Sequence, residues 1–195
     1  DQHFAAMEQQ SHGRSRNLED EDELYFGVHQ RMETARLLPP LAGAQWTGIV
    51  SRIGVRALET GLVDAVLCVG QSPEDRFTPQ PLLARTPEEV LAARVNKPTL
   101  SPNLKVLENL REQGIRRLLA IGVGCQVQAL RTVQATLPLD DLYVLGLPCV
   151  DNVSREGLQT FLNSASRSPE TVVHYEFMQD FRIDRKSTRL NSSHL

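Results

Sequence analysis

Leu118-Leu-Ala-Ile-Gly-Val-Gly-Cys-Gln-Val-Gln-Ala-Leu-Arg131 decides how this chain is read. An apolar run suited to a β-strand passes through Gly122-Val-Gly124 into a cysteine and then into a helix-forming stretch. Leu142-Tyr-Val-Leu-Gly-Leu-Pro-Cys149 repeats the pattern of apolar strand, small turn and cysteine. Cysteines at the carboxyl ends of consecutive strands sit where open α/β sheets place their ligands. Thiolates gathered there suit an iron–sulfur cluster or a redox reaction better than packing.

Working outward, strands and helices alternate. Ile49, Val50, Ile53, Val55, Ala57 and Leu58 have helical spacing, entered through Gln45-Trp-Thr-Gly48 and closed by Gly61. Leu62–Val69 reads as an interior strand, being nearly continuously apolar. Gln71–Pro81 reads as loop because Pro73, Pro79 and Pro81 oppose regular structure. Thr86-Pro-Glu-Glu89 is a capping box that opens a helix over Pro87–Ala93. The pattern then predicts a helix over Pro102–Gln113 ended by Gly114, a strand over Arg117–Val123 and a helix over Gln126–Ala135. A strand over Tyr143–Leu147, a helix over Ser154–Ser164 and a strand over Val172–Phe181 complete it. The fold class expected is α/β, a mostly parallel sheet flanked by helices, forming part of a larger enzyme.

The 195 residues are 41% hydrophobic and 23% charged with a net charge of −3, ordinary globular composition. The scattered basic residues leave no footprint for nucleic acid. No apolar run approaches the roughly 20 residues of a membrane helix, so no transmembrane segment is expected. Three cysteines are too few for a disulfide framework and point to a reducing compartment. The acidic run Glu19–Glu23 reads as part of a solvated polar lead-in over residues 1–40. Tyr25–His29 reads as a short strand-like patch.

Each chemical motif has competing readings. Gly122-Val-Gly124 lacks the third glycine of a dinucleotide fingerprint, and no acidic residue closes a second strand about 20 residues on. Cys125 and Arg131 have the Cys-x5-Arg spacing of a phosphatase phosphate loop, but no glycine lies between them to open it. Cys125 and Cys149 are either ligands or inert packing; Cys68, inside a strand, reads as packing. Two cysteines cannot complete a four-thiolate cluster, so further ligands would come from elsewhere. The histidines at 29 and 174 read as packed or solvated.

Gln45–Val50, Gly61–Val66, Leu83–Glu89, Gly122–Arg131 and Gly146–Asn152 together resemble the coenzyme F420 hydrogenase/dehydrogenase β-subunit family. Leu100-Ser-Pro-Asn-Leu104 and His174–Asp180 resemble its chlorophyll-pathway branch, and the match runs from about Tyr25 to Arg182. The resemblance implies a flavoprotein enzyme that takes electrons from reduced ferredoxin through 4Fe–4S clusters to FAD and reduces a chlorophyll-type tetrapyrrole. The reaction implied is 7-hydroxymethyl chlorophyll a to chlorophyll a; the alternatives are 8-vinyl reduction of a divinyl chlorophyllide and a non-catalytic flavin-binding redox-subunit domain. The location implied is the chloroplast stroma in a plant or alga, or the cytoplasm in a cyanobacterium.

Carried over by residue, Trp46, Thr47 and Gly48 resemble part of the flavin-binding loop, Gly48 leaving room for close approach of phosphate or ring oxygens. Asn96, Lys97 and Ser101 fall in a segment that faces the flavin in relatives. Cys125 and Cys149 match positions that resemble cluster ligands, and Cys68 has no such match. The expected organisation is a polar lead-in over 1–40, an N-terminal flavin-binding domain over 41–136 and the start of a C-terminal domain over 137–183. Residues 184–195 are expected to be a non-native tail, since Lys186–Leu195 resembles a translated sequencing adapter. Relatives are expected to carry a cysteine-rich segment before Asp1 and a Cys-x-x-Cys pair beyond the last residue, making this chain an internal fragment.

Overall fold

A computed structural model describes residues 2–75, 77–149, 152–176, 182–185 and 189–191, with side chains between Phe4 and Val172. Its centre is a four-stranded sheet in the order β2-β1-β3-β4: β1 is Ala65–Gln71, β2 Pro79–Ala84, β3 Arg117–Val123 and β4 Asp141–Leu147. β1, β3 and β4 run parallel, with Leu67 opposite Ala120 and Val123 opposite Leu147, and β2 is antiparallel to β1. The fold class is therefore a mostly parallel α/β sheet flanked by helices, as expected.

Strand pleating divides the core between two faces. Val66 and Cys68 of β1 and Leu119 and Ile121 of β3 pack against α3 (Ile49–Glu59) and α4 (Pro87–Ala92), represented by Val55, Ala57 and Val90. Ala65, Leu67, Leu118 and Ala120 face the other way, onto Leu107 and Leu110 of the 3₁₀ segment Asn103–Asn109 and its continuation, and onto Leu130 of α5 (Gly124–Val133). Both interior strands are buried on both faces, which explains their unbroken apolar runs. A satellite cluster joins Leu158 and Leu162 of α6 (Arg155–Ala165) to Val172 at the start of β5 (Val172–Glu176).

Four expectations need correction. The proline-rich stretch taken as loop contains β2: Pro79 and Pro81 lie two apart, so both lack an N–H on the same side, which an edge strand can turn away from its partner. The lead-in is not simply solvated chain, for α1 (Gln2–His12) and α2 (Glu21–Phe26) form there. Within the acidic run, Glu23 is only 7% exposed; it accepts from Arg14 Nη1 at 2.8 Å and from the Asn17 N–H at 2.7 Å, and Arg14 in particular holds its carboxyl at about 2. Tyr25 and Phe26 end α2 and are exposed rather than forming a strand. Finally, residues 184–195, expected to be a non-native tail, are not without structure: they contain the end of β6 (Arg182–Arg185) and all of β7 (Arg189–Asn191), which pair antiparallel. The part of the last predicted strand beyond Glu176, up to Phe181, lies outside the described residues. No described helix is long and apolar enough to cross a membrane.

Candidate functional site at the carboxyl edge of the sheet

Because β1, β3 and β4 are parallel, all three end at one edge. The connections bring further segments there. Only five residues separate α3 from β1, so α3 runs back along the sheet and its amino terminus lies at that edge. α4 follows the antiparallel β2 after two residues and returns toward the same edge. Every residue singled out above (Trp46, Thr47, Gly48, Asn96, Lys97, Ser101, Cys125 and Cys149) therefore belongs to a segment ending or starting there. Long-range bonds lace these segments together: Arg94 Nε donates to Gly43 O at 3.2 Å, Val153 N to Pro98 O at 3.3 Å, and Gln126 Nε2 to Ser101 O at 3.4 Å.

The first segment is a tight loop. Thr47 closes it twice, its Oγ1 accepting from the Leu37 N–H at 3.1 Å and its carbonyl from the Leu41 N–H at 3.0 Å. Trp46 has φ 53° and is 75% exposed, a large apolar residue held out from the loop. Gly48, at φ 82°, is the N-cap of α3 and offers no side-chain cap, so the α3 amino terminus keeps its capacity to meet an acceptor. The need for glycine at 48 differs from the expectation of room for a ligand. A Cβ there would lie 2.6 Å from Leu41 Cβ and 2.9 Å from Ala44 Cβ, so the loop's own packing excludes it.

In the second segment Asn96 is exposed, whereas Lys97 is largely withdrawn from solvent. Its ammonium donates to the carbonyls of Ala93, Arg94 (2.8 Å) and Val95 (3.1 Å), a cationic cap on the end of α4. Burial lowers its pKa to about 8. With three donors engaged, Lys97 supplies charge and loop geometry. Cys68, buried beneath, has its thiol pushed up to about 11 by desolvation, which agrees with a packing role.

Ser101 is half-buried. Its Oγ donates to Asn103 Oδ1 at 2.6 Å. Asn103 is 2% exposed, and its Nδ2 has no hydrogen-bond partner. It lines a narrow cleft with Leu67, Leu104, Gly122, Gln126 and Val127, where β3 ends and α5 begins. Sequence reasoning missed Asn103 and Gln126. The available signal was an asparagine at 103 sharing the i, i+4, i+7 stripe with core residues Leu107 and Leu110.

Cys125 and Cys149 are both exposed and lie two residues beyond the paired ends Val123 and Leu147, so they leave adjacent strands at equivalent positions. α5 starts at Gly124, two residues earlier than expected, which puts Cys125 in its first turn. The described residues contain no group of three or more His, Cys, Asp or Glu able to hold a metal, so a four-iron cluster does not fit them alone. Arg131 turns to Gln134 at 2.8 Å instead of reaching a phosphate loop. A flavin fits the edge better: an unpartnered buried amide, two helix amino termini without side-chain caps and an exposed indole face suit a ligand with phosphate and aromatic parts.

Residues 32–108 match the model for the N-terminal part of the coenzyme F420 hydrogenase/dehydrogenase β subunit, and residues 115–194 the model for its C-terminal part. The chain is 57% identical over 175 residues to 7-hydroxymethyl chlorophyll a reductase, chloroplastic, of Oryza sativa, covering 90% of this chain and 37% of that protein. It is 65% identical over 185 residues to an uncharacterised protein of Nostoc sp., covering 95% and 47%. It thus spans less than half the length of these relatives. The F420-reducing [NiFe] hydrogenase complex from Methanosarcina barkeri contains a chain that superposes with a TM-score of 0.68 at 30% identity, over 74% of this chain and 52% of that one. Matched by both family models over most of its length, and by a solved relative in fold, this chain belongs to the coenzyme F420 hydrogenase/dehydrogenase β-subunit family.

Proposed function

We propose that this chain is the flavin-domain core of a ferredoxin-dependent oxidoreductase acting on a chlorophyll-type tetrapyrrole, converting 7-hydroxymethyl chlorophyll a to chlorophyll a. The observation that carries the reading is the 57% identity to the rice reductase across 90% of the chain. That span includes the segments meeting at the carboxyl edge. The reaction replaces a hydroxymethyl group by methyl, consuming two electrons and two protons and releasing water. FAD would supply the step from single electrons to a pair. This chain's residues would hold it: Trp46 offers a stacking face, Thr47 and Gly48 shape the loop at the start of α3, and Asn96, Lys97 and Ser101 form the facing wall. Cys125 and Cys149 would contribute two thiolates to a 4Fe–4S cluster whose remaining ligands lie outside the described residues. The protein would work in the chloroplast stroma of a plant or alga, or in the cytoplasm of a cyanobacterium.

The test uses the full-length protein, prepared anaerobically, with reduced ferredoxin and 7-hydroxymethyl chlorophyll a. Bound FAD, iron, and formation of chlorophyll a are expected. Turnover of divinyl chlorophyllide instead would reassign the substrate. Flavin without turnover of either pigment would make the protein a redox subunit, and absence of flavin would overturn the reading.

A further inference from the structure

One face of the sheet is covered unevenly. α3 packs over β1 and β3 through Val55 and Ala57, whereas β4 packs beyond β3 chiefly against α5, on the opposite face. Between α3 and the uncovered side of β4 runs a groove of about 380 Å³, within the range of roughly 300–1,000 Å³ usual for small-molecule sites. Ile49, Ile53, Leu62, Leu119 and Tyr143 line it, Arg52 and Arg56 stand exposed beside them, and no acidic residue contributes. Leu119 and Tyr143 are register partners on adjacent strands and so share this face, which Leu145 and Leu147 continue to the carboxyl edge. Ile53, Leu62 and Tyr143 are 41%, 45% and 38% exposed. Large apolar side chains left in water along one groove mark a place where something apolar binds. The direction of the groove links it to the candidate site. Ile49 opens α3 directly after Gly48 at the carboxyl edge, and Leu62 lies beyond the far end of this 11-residue helix, roughly 16 Å away.

We infer that this groove binds the isoprenoid tail of the pigment, with the macrocycle at the carboxyl edge and the tail running along α3 from Ile49 toward Leu62. This rests on the tetrapyrrole reading above and adds a second recognition element to the same site. A chlorophyll is an ester in which a planar ring carries a long, branched, wholly apolar alcohol. With the ring held beside the 46–48 loop, the tail must either stay in water or lie on apolar protein, and burial is favoured in proportion to the area covered. The groove begins where such a tail would leave the ring. Arg52, one turn into α3, is placed to donate to the ester carbonyl at the junction, while its aliphatic stem extends the apolar wall.

The experiment compares two substrates of the full-length holoprotein: 7-hydroxymethyl chlorophyll a and the same pigment with its tail removed by ester hydrolysis. The wild-type protein is expected to show a KM at least about tenfold lower for the ester. Ile53→Asp and Leu62→Asp put a carboxylate into the groove at exposed positions; each is expected to raise the KM for the ester roughly tenfold and so to erase the preference. A second measurement needs no turnover. In Ile53→Cys, the introduced thiol is expected to react with a maleimide in the pigment-free protein and to be protected by phytol, the free tail alcohol. Equal KM values for the two pigments in the wild-type protein, or a parallel rise for both in the variants, would overturn the tail site and leave the proposed function standing. A thiol at position 53 that no maleimide reaches in the pigment-free protein would also overturn it, since the groove would then be covered by the remaining polypeptide or by a second copy. Turnover of neither pigment would overturn the proposed function, and the tail site with it.

Discussion

Gly48→Ala separates a glycine required by the protein from one required by a ligand. The backbone at 48 has φ 82°, where a side chain costs roughly 1–2 kcal/mol. The added Cβ would sit 2.6 Å from Leu41 Cβ and 2.9 Å from Ala44 Cβ, closer than such atoms approach, so the loop must shift. Overpacking of that kind costs about 1–3 kcal/mol, giving a total of roughly 2–5 kcal/mol. Urea unfolding of the ligand-free chain, monitored by circular dichroism, is the assay. In a Leu41→Gly background the cost should fall by roughly 1 kcal/mol, because the nearest obstacle is gone while the φ strain and Ala44 remain. A cost below about 0.5 kcal/mol would refute the packing argument. So would a loss of flavin with unchanged unfolding free energy, which would return Gly48 to the role of leaving space for the cofactor.

Three further outcomes are expected. Asp64 accepts from the Arg116 and Arg117 N–H groups at 3.0 and 2.8 Å and from Arg117 Nη2 at 2.6 Å, and chiefly Arg117 lowers its pKa to about 2. With the folded value depressed, its contribution is present above the unfolded value and fades as pH falls from about 4 through 2; Asp64→Asn should cost about 1 kcal/mol at pH 7 and little at pH 2, by denaturant melts at both. Cys125→Ser and Cys149→Ser should each lower the iron content of the anaerobic full-length protein, while Cys68→Ala should not; equal iron in all three would return the two exposed cysteines to an inert role. Deleting residues 186–195 should leave the melting temperature unchanged, since β7 is a three-residue strand on a small antiparallel ribbon, marginal by itself; a loss of several degrees would show that the segment packs.

What was legible in the sequence was whatever local periodicity controls. β3 and α4 were recognisable because an interior strand is apolar on both faces and because Thr86 and Glu89 complete a capping box that the structure contains. β2 was hidden because its two prolines are tolerated only by its edge position, a property of the sheet and not of the segment. α1 and α2 were hidden for a related reason. Pairs such as Arg16 with Glu8 and Arg14 with Glu23 help hold them, and pairing of that kind leaves no apolar stripe. At the candidate site, Ser101 was noted for its place in a motif, but its partner Asn103 was not. Burial of an amide without an acceptor is visible only once the 3₁₀ segment and α5 have been packed together.

The lacing of the carboxyl edge has a consequence for how the molecule breathes. Arg94 holds the 41–48 loop through Gly43, Val153 holds the 98–101 segment through Pro98, and Gln126 holds the same segment to α5. Each tie ends on a main-chain carbonyl, so one loop cannot lift without leaving a neighbour's donor unmatched. The edge should therefore open as one cooperative unit, with the amides of Leu41 and Val153 exchanging with solvent at similar free energy although 112 positions apart in number, from 41 to 153. A ligand bound at any one loop would then slow hydrogen exchange in all of them.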